Sequence, residues 1–82
     1  MRGLIGRVMH MENCMRCVEA AQKCGKLHAV SRQIAALRAY MDSGQWLRDY
    51  EADERGELPK DMPRGVLSQD ALYDLLREIE EK

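Results

Sequence analysis

The chain has 82 residues, enough for a single hydrophobic core and too few for a second. Its 13 Lys and Arg side chains against 14 Asp and Glu give a net charge of −1, which excludes a polybasic membrane anchor, a strongly basic DNA-binding arm and an acidic solvating tail. Hydrophobic residues at 45% and charged residues at 33% describe a foldable chain and not a disordered one.

The near-neutral total conceals two opposed halves. Residues 1–40 carry seven basic and two acidic side chains, a balance of +5, and residues 41–82 carry six basic and twelve acidic, a balance of −6. Docking of the halves on each other is the expected explanation. The opening Met1-Arg2-Gly3-Leu4-Ile5-Gly6-Arg7 lacks the apolar stretch of an export signal, and the three cysteines cannot all pair internally. A cytoplasmic chain with reduced thiols is expected. No uncharged apolar run is long enough to span a membrane, so no membrane association is expected.

Leu4, Val8, Met11, Met15 and Val18 recur at steps of 4, 3, 4 and 3, the stripe of an α-helix, with Glu12, Arg16, Glu19 and Lys23 expected near the opposite side. Leu27, Val30, Ile34, Leu37 and Met41 form a second stripe out of phase with the first. A break at Cys24-Gly25-Lys26 accounts for the slip, with Ser31 a candidate N-cap for a shorter second helix. The expected result is an antiparallel hairpin over residues 1–42, a single bent helix being the alternative.

Asp42-Ser43-Gly44-Gln45 reads as a start signal, with Asp42 as N-cap and Gln45 bonding back. A third helix then runs to about Glu54, ended by Gly56 and Pro59, with Trp46 and Tyr50 sharing a face. Leu58 to Leu67, carrying Pro59, Pro63 and Gly65, reads as an ordered loop. Ser68 is the expected cap of a last helix, with Asp70 complementing its dipole and Leu72, Leu75, Leu76 and Ile79 as its apolar stripe. Glu78, Glu80 and Glu81 oppose the dipole, so that end should fray. The fold class is therefore all-α: one domain over residues 1–82, a hairpin with the two shorter helices of residues 43–82 packed over it.

Little catalytic chemistry can be assembled from these residues. There is no glycine-rich phosphate loop, no nucleophile elbow and no H-E-x-x-H, so no enzyme and no cofactor are expected. His10, Cys14, Cys17, Cys24 and His28 make one seam at steps of 4, 3, 7 and 4, with ligand types that zinc favours. His10 and Cys17 would stand about 10 Å apart on a straight helix, so one helix offers only a pair, such as Cys14 with Cys17 or His10 with Cys14. A second chain would have to supply the rest, and plain burial of the cysteines is the simpler reading. The acidic run Asp49, Glu51, Asp53, Glu54 and Glu57 fails the EF-hand pattern, with Glu54 and Lys60 where Gly and Glu belong. Basic residues of the first half could touch phosphates, but without aromatic interleaving or a nucleic-acid motif this is a weak alternative.

The run WLRDYEADERGELPKDMPRGVLSQDALYDLL, residues 46–76, closely resembles the signature of a small bacterial family, domain-of-unknown-function family 4298. Leu37, Tyr40 and Met11-Glu12 share the resemblance more loosely, and the chain departs from the family pattern at Met41, Pro63 and Gln69. The resemblance implies a short, all-helical cytoplasmic protein and no assigned activity. Within the signature, Trp46 and Tyr50 would cover the hairpin, and Leu58, Val66 and Leu67 would pin the loop. Asp49, Asp61, Arg64 and the Ser68 cap would satisfy loop backbone groups. Alternatively Trp46, Asp49, Tyr50, Asp61, Arg64 and Asp70 form a surface that grips a protein partner, whose identity the residues do not give. The leading expectation is a non-enzymatic interaction or structural module, with homodimerisation as one way to enlarge a small core. The second is a metal- or redox-responsive protein using the Cys/His seam.

Overall fold

The computed structural model describes residues 2–80, excepting the Arg2 side chain. The described residues are helical without strands: α1 (Arg2–Cys24), a short 3-10 turn (Leu27–Val30), α2 (Ser31–Asp42), α3 (Gln45–Glu54), a second 3-10 turn (Gly65–Leu67) and α4 (Gln69–Glu80). The molecule is 36 Å along its longest axis. That is close to the roughly 35 Å expected for a helix the length of α1, which sets the long dimension.

α1 ends where the sequence breaks phase. Gly25 adopts φ +71°, a left-handed conformation that costs other residues strain. The Lys26 N–H donates to the Ala21 carbonyl at 2.8 Å and the Gly25 N–H to Gln22 at 3.3 Å, which satisfies the end of the helix. The chain then runs through the 3-10 turn directly into α2. Ser31 is the first residue of α2 and no side chain caps it, contrary to the expected N-cap. Residues that meet across α1 and α2 run in opposite order: Arg7 reaches the end of α2 through Asp49 and Tyr40, while His10 and Cys14 share a cleft with Gln33 and Ala36. That order is the one a hairpin requires.

The expected start of α3 shifts by a few residues. Asp42 remains the last residue of α2 and caps nothing, because the α2 apolar face continues through Tyr40 and Met41. Gly44 turns the chain with φ +84°, and the Ser43 hydroxyl accepts from the Gln45 N–H at 3.3 Å. Gln45 does not bond back; it donates to Asp49 at 3.1 Å. α4 begins after Ser68, whose carbonyl accepts the Leu72 N–H at 3.1 Å. Near its far end Gln22 donates to Glu78 at 3.0 Å and Arg38 pairs with Glu80 at 3.3 Å. Both contacts are surface pairs, which contribute little against the unfavourable dipole. Glu81 lies outside the described residues.

The core draws on every α-helix and on the loop. Val8, Met15 and Val18 of α1, Leu37 and Tyr40 of α2, Trp46 of α3 and Leu72, Leu75 and Leu76 of α4 close around Leu58, Val66 and Leu67. Leu27, Val30, Ile34 and Met41 of the second stripe are only partly buried, and Tyr40 takes the deeper place.

Candidate functional site

Asp49 is the most buried ionisable side chain among those described, at 1% exposure. Arg7 grips it with two hydrogen bonds, Nη2 to Oδ1 at 2.7 Å and Nε to Oδ2 at 2.9 Å. The Tyr40 hydroxyl donates to Oδ2 at 2.6 Å, and the Gln45 amide completes the set. One carboxylate thereby joins α1, α2 and α3, the arrangement that makes a buried charge tolerable. Burial, the largest single effect, would raise the Asp49 pKa, but hydrogen bonds from Arg7, Tyr40 and Gln45 with the Arg7 charge hold it below the ordinary carboxylate value. Burial, with help from Asp49, pushes the Tyr40 phenol well above its ordinary value.

A second cluster fixes the loop. Glu12, expected on the outer side of α1, is 6% exposed. The reason is the 3-10 turn laid over it: the Val66 N–H donates to Glu12 Oε1 at 2.8 Å, and Arg16 Nε supports Oε2 at 3.0 Å. The Val66 carbonyl accepts from the Trp46 indole N–H at 2.9 Å. Both backbone groups of a fully buried residue are thus satisfied by side chains of α1 and α3. Arg64 donates to Asp53 and to the carbonyls of Pro59 and Met62, closing the loop on itself.

The six residues considered as a gripping surface therefore do not form one patch. Trp46 and Asp49 are buried and bonded internally. Tyr50 is half-buried and stacks on Trp46 with centroids 5.1 Å apart. Arg64 is engaged with the loop backbone. Asp61 and Asp70 are exposed, the latter in the first turn of α4. Asp49 does not serve the loop; Glu12 does. The sequence marks neither Glu12 nor Arg7 nor Tyr40 for these roles, although the loose resemblance at Met11-Glu12 and Tyr40 includes two of them.

The Cys/His seam is also divided. α1 stops at Cys24, so His28 lies on the following 3-10 turn. Cys14 is buried, Cys17 and Cys24 are exposed, and among the described residues no three His, Cys, Asp or Glu side chains gather as a metal would require. The pair that does meet is His10 with Cys14, Nε2 to Sγ at 3.8 Å. Burial pushes the Cys14 thiol pKa up, with a smaller contribution from Cys17.

No described helix is long and apolar enough to cross a membrane. No curated protein and no solved structure matches the chain. A family match extends beyond the 46–76 signature to the part of α1 from Val8 onward: residues 8–82 match the family described as Domain of unknown function (DUF4298), and the chain belongs to it.

Proposed function

We propose that the chain is a cytoplasmic, non-enzymatic helical module that acts by binding another protein. The observation that carries this reading is the exposure of large apolar side chains on a small fold: Ile5 at 36%, Met9 and Leu47 at 52% and Tyr73 at 54%. Ile5 and Met9 are one turn apart on α1 and share a face. Tyr and Met are side-chain types enriched at interfaces. Asp49, Tyr40, Glu12 and Arg64 would be the natural acid, base and anion-binding groups of a catalytic site, yet each is held by an internal partner. The near-neutral charge favours a protein over a nucleic acid as partner.

The test combines light scattering of the purified chain with binding to a partner identified by affinity capture and then purified. Met9→Lys and Tyr73→Lys should each weaken self-association or partner binding while leaving the far-UV circular dichroism unchanged. Substrate turnover that depends on His10, Cys14 or Cys17 would refute the reading, as would binding indifferent to both charge insertions.

A further inference from the structure

Tyr73, one of the large exposed side chains, borders a cleft of about 280 Å³ between α2 and α4. Met41 and Leu76 give the cleft its apolar lining, Leu76 being buried and Met41 partly so. The charged side chains around them balance, Arg38 and Arg77 against Asp42 and Glu80. Arg38 and Glu80 hold each other at 3.3 Å, joining α2 to α4. Arg77 lies over the Tyr73 ring, with Cζ 6.0 Å from its centroid.

We propose that this face docks on the same face of a second copy of the chain, each Tyr73 entering the other's cleft. The assignment rests on the reading that the chain binds protein, and it names the partner. Size argues first. Small-molecule sites occupy roughly 300–1,000 Å³, so this cleft stands at their lower edge, on the scale of a side chain. A two-fold contact also needs a projection and a receptacle on one surface, so that residue i meets j and j meets i. Tyr73 projects at 54% exposure beside the cleft that its counterpart would fill. Charge selects the copy over other partners. A strongly acidic protein would meet Asp42 and Glu80, and a strongly basic one Arg38 and Arg77, whereas a surface with both signs in equal number complements itself. Arg77 travels with the Tyr73 ring into the opposite cleft. Glu80 there is engaged by Arg38, so Arg77 meets Asp42 of the second copy, and the contact occurs twice.

The experiment is sedimentation velocity of the full chain over a concentration series, which should show a dimer. Tyr73→Ala should weaken it at least about tenfold, the scale of a buried aromatic anchor. Arg77→Glu alone and Asp42→Arg alone each set like charges opposite each other at both contacts, so each variant should sediment as a monomer. In an equimolar mixture of these two variants, one contact pairs the substituted positions with opposite signs and the other is unaltered, so the dimer should return. Asp42, Tyr73 and Arg77 are all exposed, so the substitutions leave the core intact. A dimer indifferent to Tyr73→Ala, or a mixture that stays monomeric, would overturn the assignment. An unaltered chain that is monomeric throughout the series yet binds a captured and purified protein overturns self-docking alone, whereas substrate turnover ends the protein-binding reading with it.

Discussion

Replacing Asp49 by Asn keeps the side-chain volume, so it probes charge and hydrogen bonding without leaving a cavity. Breaking a buried ion pair by removing one partner costs about 3–5 kcal/mol, because the other charge is left uncompensated. Here the Arg7 side chain is 35% exposed and can recover some hydration, which lowers the expected cost to about 2–4 kcal/mol. The Asn amide nitrogen must also face a donor, since both Asp49 oxygens accept bonds from Arg7, Tyr40 or Gln45. A chain of this length has a total stability of about 4–12 kcal/mol, so the variant should lose a large fraction of it. The measurement is urea unfolding followed by Trp46 fluorescence and by far-UV circular dichroism. Arg7→Met in the Asp49→Asn background should recover part of the loss, because it removes the stranded guanidinium. A loss below about 1 kcal/mol for Asp49→Asn would refute the assignment of Asp49 as the joint of three helices.

The same carboxylate predicts the acid limb of stability. Its folded pKa is lowered, so its contribution is present above the unfolded value of about 3.9 and is lost as pH falls through the folded pKa. The stability gap between the unaltered chain and Asp49→Asn should narrow below about pH 4, as read from urea midpoints at successive pH values. Glu12→Ala leaves the buried Val66 N–H without its acceptor and should cost about 1–3 kcal/mol; Trp46→Phe, which strands the Val66 carbonyl, should cost a similar amount. Gly6 is helical, and nothing lies within 4 Å of the place an alanine Cβ would take, so Gly6→Ala should raise stability by about 0.5–1 kcal/mol. Gly44→Ala, at φ +84°, should instead lower it by about 1–2 kcal/mol. Thermal melts of the two variants should move in opposite directions. Arg64→Ala should leave the helices formed but speed proteolysis between Glu57 and Arg64, since Arg64 holds the Pro59 and Met62 carbonyls.

What the sequence reveals and what it conceals divide along the range of the interactions. The stripes of α1 and α4 and the stop at Gly25 are legible because they rest on neighbours three to five residues apart. The His10–Cys14 pair is legible for the same reason. Glu12 is not, because its acceptor role exists only through Val66, 54 positions away. Asp49 sits in a run of acidic residues that reads as a solvated helix face, and what sets it apart from Glu51 and Glu54 is its burial with Tyr40 and with Arg7, 42 positions earlier. Asp42 and Gln45 match a capping pattern, but α2 carries its apolar face through Tyr40 and Met41, keeps Asp42 as its last residue and leaves the reversal to Gly44. Local chemistry proposes a cap; packing decides where the helix ends.

The opposed halves of the sequence, +5 and −6, invite the idea that one charged face docks on another. Among the described residues, specific ion pairs cross between the halves. Arg7 meets Asp49 in the interior, and Arg38 meets Glu80 nearer the surface. Other pairs stay within a half, as Arg16 with Glu12, Arg55 with Glu57 and Arg64 with Asp53. The distinction matters energetically. The Arg55–Glu57 pair is exposed on both sides and sensitive to salt, so pairs like it contribute little. Asp49 is screened far less, and its hydrogen bonds reach three helices. Added salt should therefore leave the Asp49→Asn penalty nearly intact while erasing any contribution of the Arg55–Glu57 pair. Neutrality of the whole chain is a matter of composition, 13 basic against 14 acidic side chains, whereas the arrangement of α1, α2 and α3 depends on the buried pair.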